Sequence, residues 1–129
     1  MLNTGILNPH ILSLLARVRH TNALVIADRG FPYLPLIETV DVSLTDDVPT
    51  VLQVLAEIRA ICNFTQGFMA REFKQNNPMA VQKKYIRAFS DIPLQFEPHV
   101  RFKSRVPQAI GLIRSGDATP YANIILISG

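Results

Sequence analysis

Ala23-Leu24-Val25-Ile26-Ala27-Asp28-Arg29-Gly30 is five unbroken apolar residues running straight into a carboxylate, a cation and a glycine. So short and uniformly apolar a run has no face to turn toward water. It reads as a strand buried on both sides, and the polar residues after it as the loop at the strand's carboxyl end. In open α/β sheets, ligands bind at that end. Just upstream, Asn8-Pro9 opens a helix, since Asn caps free backbone amides and Pro fits the first helical position. Ile11, Leu12, Leu14, Leu15 and Val18 then share one face, which predicts an amphipathic helix over 9–18. His20 lies between this helix and the strand, where a side chain leaves the core. Its imidazole gives and takes a proton near neutral pH, which makes it a candidate acid or base. Taken alone, a loop histidine capping the preceding helix is the simpler reading.

Further along, Phe31-Pro32-Tyr33-Leu34-Pro35 cannot be helical. Ile37 to Leu44 reads as a second strand. Asp46-Asp47 is placed to cap a helix that carries Val51, Leu52, Val54, Leu55, Ile58 and Ile61 on its apolar face. Phe64 to Ala70 reads as a strand weakened by Gly67, residues 79–89 as a helix, Phe96 to Phe102 as a strand and Ser104 to Arg114 as a helix. The last element, Asn123-Ile124-Ile125-Leu126-Ile127, reads as a buried strand. Helices and buried strands alternate with no linker or repeat. This predicts one α/β domain over 1–129, a sandwich with a largely parallel central sheet and helices on both faces.

The 129 residues are 48% hydrophobic and carry a formal net charge of +3, enough apolar matter for one core. Lys83, Lys84 and Arg87 make one helix face basic, but no aromatic residues interleave with them to stack bases, so a solvated face explains them better than a nucleic-acid site. Cys62, the only cysteine, reads as a small buried hydrophobe in a reducing compartment. The first residues carry no basic segment followed by a long apolar stretch, and no run approaches the roughly 18 apolar residues of a membrane span. A soluble, cytoplasmic protein with no membrane partner is expected. Glycine-rich phosphate loops and G-x-S-x-G are missing from the sequence, and His10, His20, His99 and Cys62 lack metal-binding spacing, so neither a cofactor nor a metal is expected.

Several segments in order from residue 5 to residue 128 resemble the D-ribose pyranase and L-fucose mutarotase family, with details leaning toward the pyranase branch. They are Gly5-Ile6-Leu7-Asn8, His20-Thr21, Asp28 with Pro32, Asp41-Val42-Ser43-Leu44 with Val48-Pro49, and the block from Ile113 to Leu126. The resemblance implies interconversion of monosaccharide ring forms, pyranose with furanose or one anomer with the other. It also implies His20 as proton donor, with Asp28, Tyr121 and Asn123 in the sugar site. Sites formed between neighbouring subunits of a homo-oligomer, a decamer of two rings, complete the expectation.

The chain departs from the family pattern at Arg19, where Gly is common, at Asn22, where Asp is common, and at Arg29, where Ala is common. A further sugar-contacting histidine of the pyranase branch aligns with Arg105, and a lysine one turn later aligns with Ala109. The arginines read first as partners of acidic groups at subunit contacts, with the substrate neutral; the alternatives are arginines retuned for an anionic sugar, since guanidinium grips carboxylate and phosphate with paired hydrogen bonds, or a non-catalytic sugar-binding or structural oligomer of the same fold.

Overall fold

In the computed structural model, which describes residues 1–129, the chain runs α1 (Pro9–Arg17), β1 (Ala23–Ala27), β2 (Thr39–Asp41), α2 (Val51–Arg59), β3 (Phe64–Ala70), α3 (Arg71–Asn76), α4 (Met79–Phe89), β4 (Leu94–Glu97), α5 (His99–Arg105) and, after a short 3-10 turn, β5 (Gly111–Arg114) and β6 (Ile124–Ser128). The strands form one sheet in the order β2-β5-β1-β6-β3-β4. β1 pairs parallel with β5, β5 with β2, and β3 with β4, while β6 runs antiparallel between β1 and β3. The largely parallel sheet expected from the sequence is therefore mixed at β6. No helix is long and apolar enough to cross a membrane.

β1 is central and buried almost throughout, as its unbroken apolar run demands. Leu24 and Ile26 face a core shared with α1, α2 and α4, where Leu14, Leu55, Ile58, Tyr85 and Phe89 pack. Val25 and Ala27 face the other side, against Phe31, Ile37, Phe102 and Val106. Helices cover both faces, but the second face is closed by α5, the 3-10 turn that follows it and the 31–37 loop. Asn8 caps α1 as expected, its Oδ1 accepting from the His10 and Ile11 amides at 2.9 and 3.0 Å.

Four expectations need correction. Asp46 and Asp47 do not cap α2; Thr50 does, in a reciprocal box with Gln53, because Pro49 follows the aspartates and sets the helix start further on. The second strand is confined to 39–41. The Phe96–Phe102 strand stops at Glu97, since Pro98 has no amide for the ladder; its carbonyl instead accepts the Arg101 and Phe102 amides and opens α5. The Ser104–Arg114 helix ends at Arg105, and Gly111–Arg114 is β5. An apolar run as short as Ile110–Ile113 fits helix and buried strand equally, and Pro107 leaves it no helical register to join.

Candidate active site

The carboxyl ends of β1 and β5 and the amino end of the antiparallel β6 meet on one edge of the sheet. Asp28 leaves β1 there, and its amide donates to Asn123 Oδ1 at 2.7 Å. Asp28 Oδ1 in turn accepts the Gly30 amide at 2.9 Å, which turns the loop back on itself. A cavity of about 240 Å3 opens beside this pair, lined by Asp28, Gly30, Phe31, Pro32, His99, Pro120, Tyr121 and Asn123. Tyr121 has φ +56, a left-handed bend that sends its ring over the cavity edge-on to His99, centroids 5.0 Å apart at 87°. Pro120, which precedes it, is anchored by Asn77 Nδ2 donating to its carbonyl at 2.9 Å.

Asp28 is half-buried, and desolvation is the main cause that raises its pKa, partly offset by the Gly30 amide and Asn123. The neutral form is therefore favoured in the folded chain above the pH at which an unfolded aspartate ionises. Native protein holds the extra proton in that window, so stability falls as pH rises through it. Asp28→Asn, which keeps Oδ1 for Gly30, is expected to raise Tm at pH 7. That gain should vanish below the carboxylate range, as melting scans at pH 3 and pH 7 would test.

Of the site residues expected from the sequence, Asp28, Tyr121 and Asn123 come together. Arg105 does not line the cavity. Its Nε and Nη2 donate to Glu97 at 2.6 and 3.1 Å, and its guanidinium lies 4.0 Å over the Phe68 ring. Glu97 is only 3% exposed, and Arg105 is its nearer cation, with Arg101 Nε at 3.6 Å the second. His99 faces the cavity instead, at the first turn of α5, with its amide held by the Glu72 carboxylate at 3.1 Å. Its Nε2 is buried with no partner in the chain, so it is free to bond a ligand hydroxyl. His99, and not the Arg105 expected from the sequence, therefore lines the cavity, and Lys103 stands one helical turn after it. Pro98, which ends the strand just before a histidine, was the signal that could have found His99.

His20 sits elsewhere. It is exposed on a tight turn before β1, where the Asn22 amide donates to Arg19 O at 3.1 Å and the Thr21 amide to Ser128 O at 3.0 Å. That turn is at the opposite end of β1 from Asp28; at about 3.3 Å per residue, the strand alone separates the two edges by roughly 16 Å. One chain does not bring His20 to the cavity.

The family model described as the RbsD / FucU transport protein family matches residues 1–129. The chain belongs to this family. D-ribose pyranases of Halalkalibacterium halodurans and Geobacillus kaustophilus are each 42% identical to it, over 97% and 100% of this chain and 95% and 94% of theirs. Among solved structures, Bacillus subtilis RbsD complexed with D-ribose is similar at a TM-score of 0.92 and 33% identity, covering 100% of this chain and 98% of that one. The fucose mutarotase of Streptococcus pneumoniae, at a TM-score of 0.77 and 17% identity over 95% and 92% of the chains, shares the fold. Within the RbsD / FucU fold, the antiparallel β6 is what delivers Asn123 beside Asp28.

Proposed function

We propose that the chain interconverts ring forms of a neutral, ribose-like monosaccharide by acid/base opening of the hemiacetal. The likeness to D-ribose pyranases over the full length of the chain carries this reading. Opening breaks the bond between the anomeric carbon and the ring oxygen. That oxygen takes a proton from an acid, the anomeric hydroxyl gives one to a base, and the carbonyl forms; closure by another hydroxyl reverses both transfers. Asp28, with its raised pKa, suits the exchange of a proton with a hydroxyl. Asn123 offers both donor and acceptor to vicinal hydroxyls, and His99 Nε2 and the Tyr121 hydroxyl complete the polar lining. The scheme needs no cofactor.

His20 is the proton donor in this reading, and it reaches the cavity of a neighbouring chain. With its acid on one edge and its cavity on the other, the subunit is suited to head-to-tail contact, the kind that closes into rings, and a cytoplasmic decamer of two rings fits the family resemblance. The three arginines favour a neutral sugar over an anionic one. Arg29 pairs with Asp46 and Arg105 with Glu97, and Arg19 Nη1 donates to the Ala16 and Val18 carbonyls at 2.6 and 2.9 Å. Each guanidinium is already engaged within its own chain.

Saturation-transfer NMR on ribose tests the reading. Exchange between pyranose and furanose signals is expected with the protein and is expected to disappear with His20→Ala. Equal slow exchange with both would leave a binding module only. Ribose is expected to bind at least tenfold more tightly than ribose 5-phosphate; the reverse order would restore the anionic-sugar alternative.

A further inference from the structure

Asp117 is a carboxylate in the core, 3% exposed, that the proposed proton transfers do not use. Its side chain receives three donors from three parts of the chain: the Val51 amide at the start of α2 at 2.9 Å, the Tyr85 hydroxyl of α4 at 3.1 Å and the Thr119 amide at 2.9 Å. Its carbonyl accepts the Arg29 amide at 3.0 Å. Its own amide donates to Ser115 Oγ at 3.1 Å, and Ser115 Oγ donates to the Ala27 carbonyl at 2.7 Å. The residue thus ties the exit of β1, which carries Asp28, to the loop that carries Tyr121 and Asn123. A buried charge so fully bonded is expensive to assemble, and hydrogen bonds from a helix N-terminus and a phenol are what make it tolerable.

We infer that Asp117 is a positioning residue of the sugar site, a buried carboxylate that fixes the two cavity loops against each other and sets an acidic group behind Asp28. The inference rests on the proposed ring-opening function for its catalytic meaning, but its electrostatic part stands without it. Around Asp28, Arg29 is turned outward to Asp46, and Arg114 at the end of β5 is held by Asp41 and the Phe31 carbonyl. His99 and Tyr121 face it across the cavity. Asp117 is the acidic group whose charge acts on Asp28, after burial, to favour its protonated form. Tyr85 stays a donor to it, because burial and the Asp117 charge push the phenol up.

The test is a carbon-13 NMR titration of the Asp28 carboxyl in wild type, Asp117→Asn, Asp117→Glu and Tyr85→Phe, with ribose exchange measured on the same samples. Asp117→Asn is expected to lower the Asp28 midpoint by about one pH unit and to carry the acid limb of the exchange profile down with it. Asp117→Glu, which restores the charge, is expected to return both. An unchanged Asp28 midpoint in folded Asp117→Asn overturns the inference. Should that variant fail to fold, Tyr85→Phe decides. Losing one donor leaves the Asp117 charge less neutralised, so the Asp28 midpoint is expected to rise by a few tenths of a pH unit, and a constant or lowered midpoint overturns the inference. Absence of ribose exchange in wild type defeats the proposed function while leaving the titration result to stand or fall by itself.

Discussion

Mixing two crippled variants, His20→Ala and Asp28→Asn, is expected to restore about a quarter of wild-type exchange once their subunits have been dissociated and reassembled together. Each variant alone is expected to lose about 10²- to 10⁴-fold, the usual worth of a positioned acid or base. The recovery follows from the proposed function: His20 precedes β1 and Asp28 follows it, so a site that uses both would draw its histidine from one chain and its cavity from another. In a random one-to-one mixture, half the histidines and half the cavities are intact, and about a quarter of the pairings combine both. Recovery of nothing would place both groups in one chain's site. The readout is the same saturation-transfer experiment, run before and after mixing.

Gly116→Ala is expected to cost about 3 kcal/mol of stability, lowering Tm by roughly 10 °C. A Cβ built on Gly116 would lie 2.3 Å from the Thr45 carbonyl oxygen and 2.7 Å from that of Val48. Neither oxygen can swing aside as a side-chain tip would. The Gly116 amide donates to Pro49 O at 2.8 Å, and Val48 O is held by the Leu44 amide at 2.9 Å, so the two loops meet backbone to backbone. Gly30→Ala is the comparison: its nearest neighbour is Asp28 Oδ1 at 3.7 Å, an ordinary contact. A Tm loss for Gly116→Ala no larger than that for Gly30→Ala would contradict the close approach.

The parts of the fold legible in the sequence were those with local signals. Asn8-Pro9 marked α1, the apolar run marked β1, and residues 79–89 kept helical period because Tyr85 and Phe89 must face the core. Asp28, Tyr121 and Asn123 were expected in the site from the family resemblance, and the structure brings the three to one cavity. Two things were not legible. Residues 96–102 mix apolar and polar positions in a way that suits a strand, and only Pro98 separates β4 from α5, so His99 was absorbed into the strand and Arg105 took its place. The distance of His20 from the cavity was also hidden, because both flank the same short strand and sequence proximity reads as nearness. A strand separates the residues at its two ends by its full length.

The antiparallel entry of β6 has one more consequence. Ile26 pairs with Ile124 in the ladder, one step inward from the bond between the Asp28 amide and Asn123, so the polar floor of the cavity continues the innermost hydrogen bonding of the molecule. Local opening in proteins begins where bonds are exposed and apolar contacts few, whereas Asn123 and the Ile26–Ile124 pair beside it are buried. Amide hydrogen exchange at Asp28 is then expected to be slowed toward the rate of the strands beside it. Adjustment to a sugar that fits badly is then expected at the rim, at Pro32 and Tyr121, rather than at the floor.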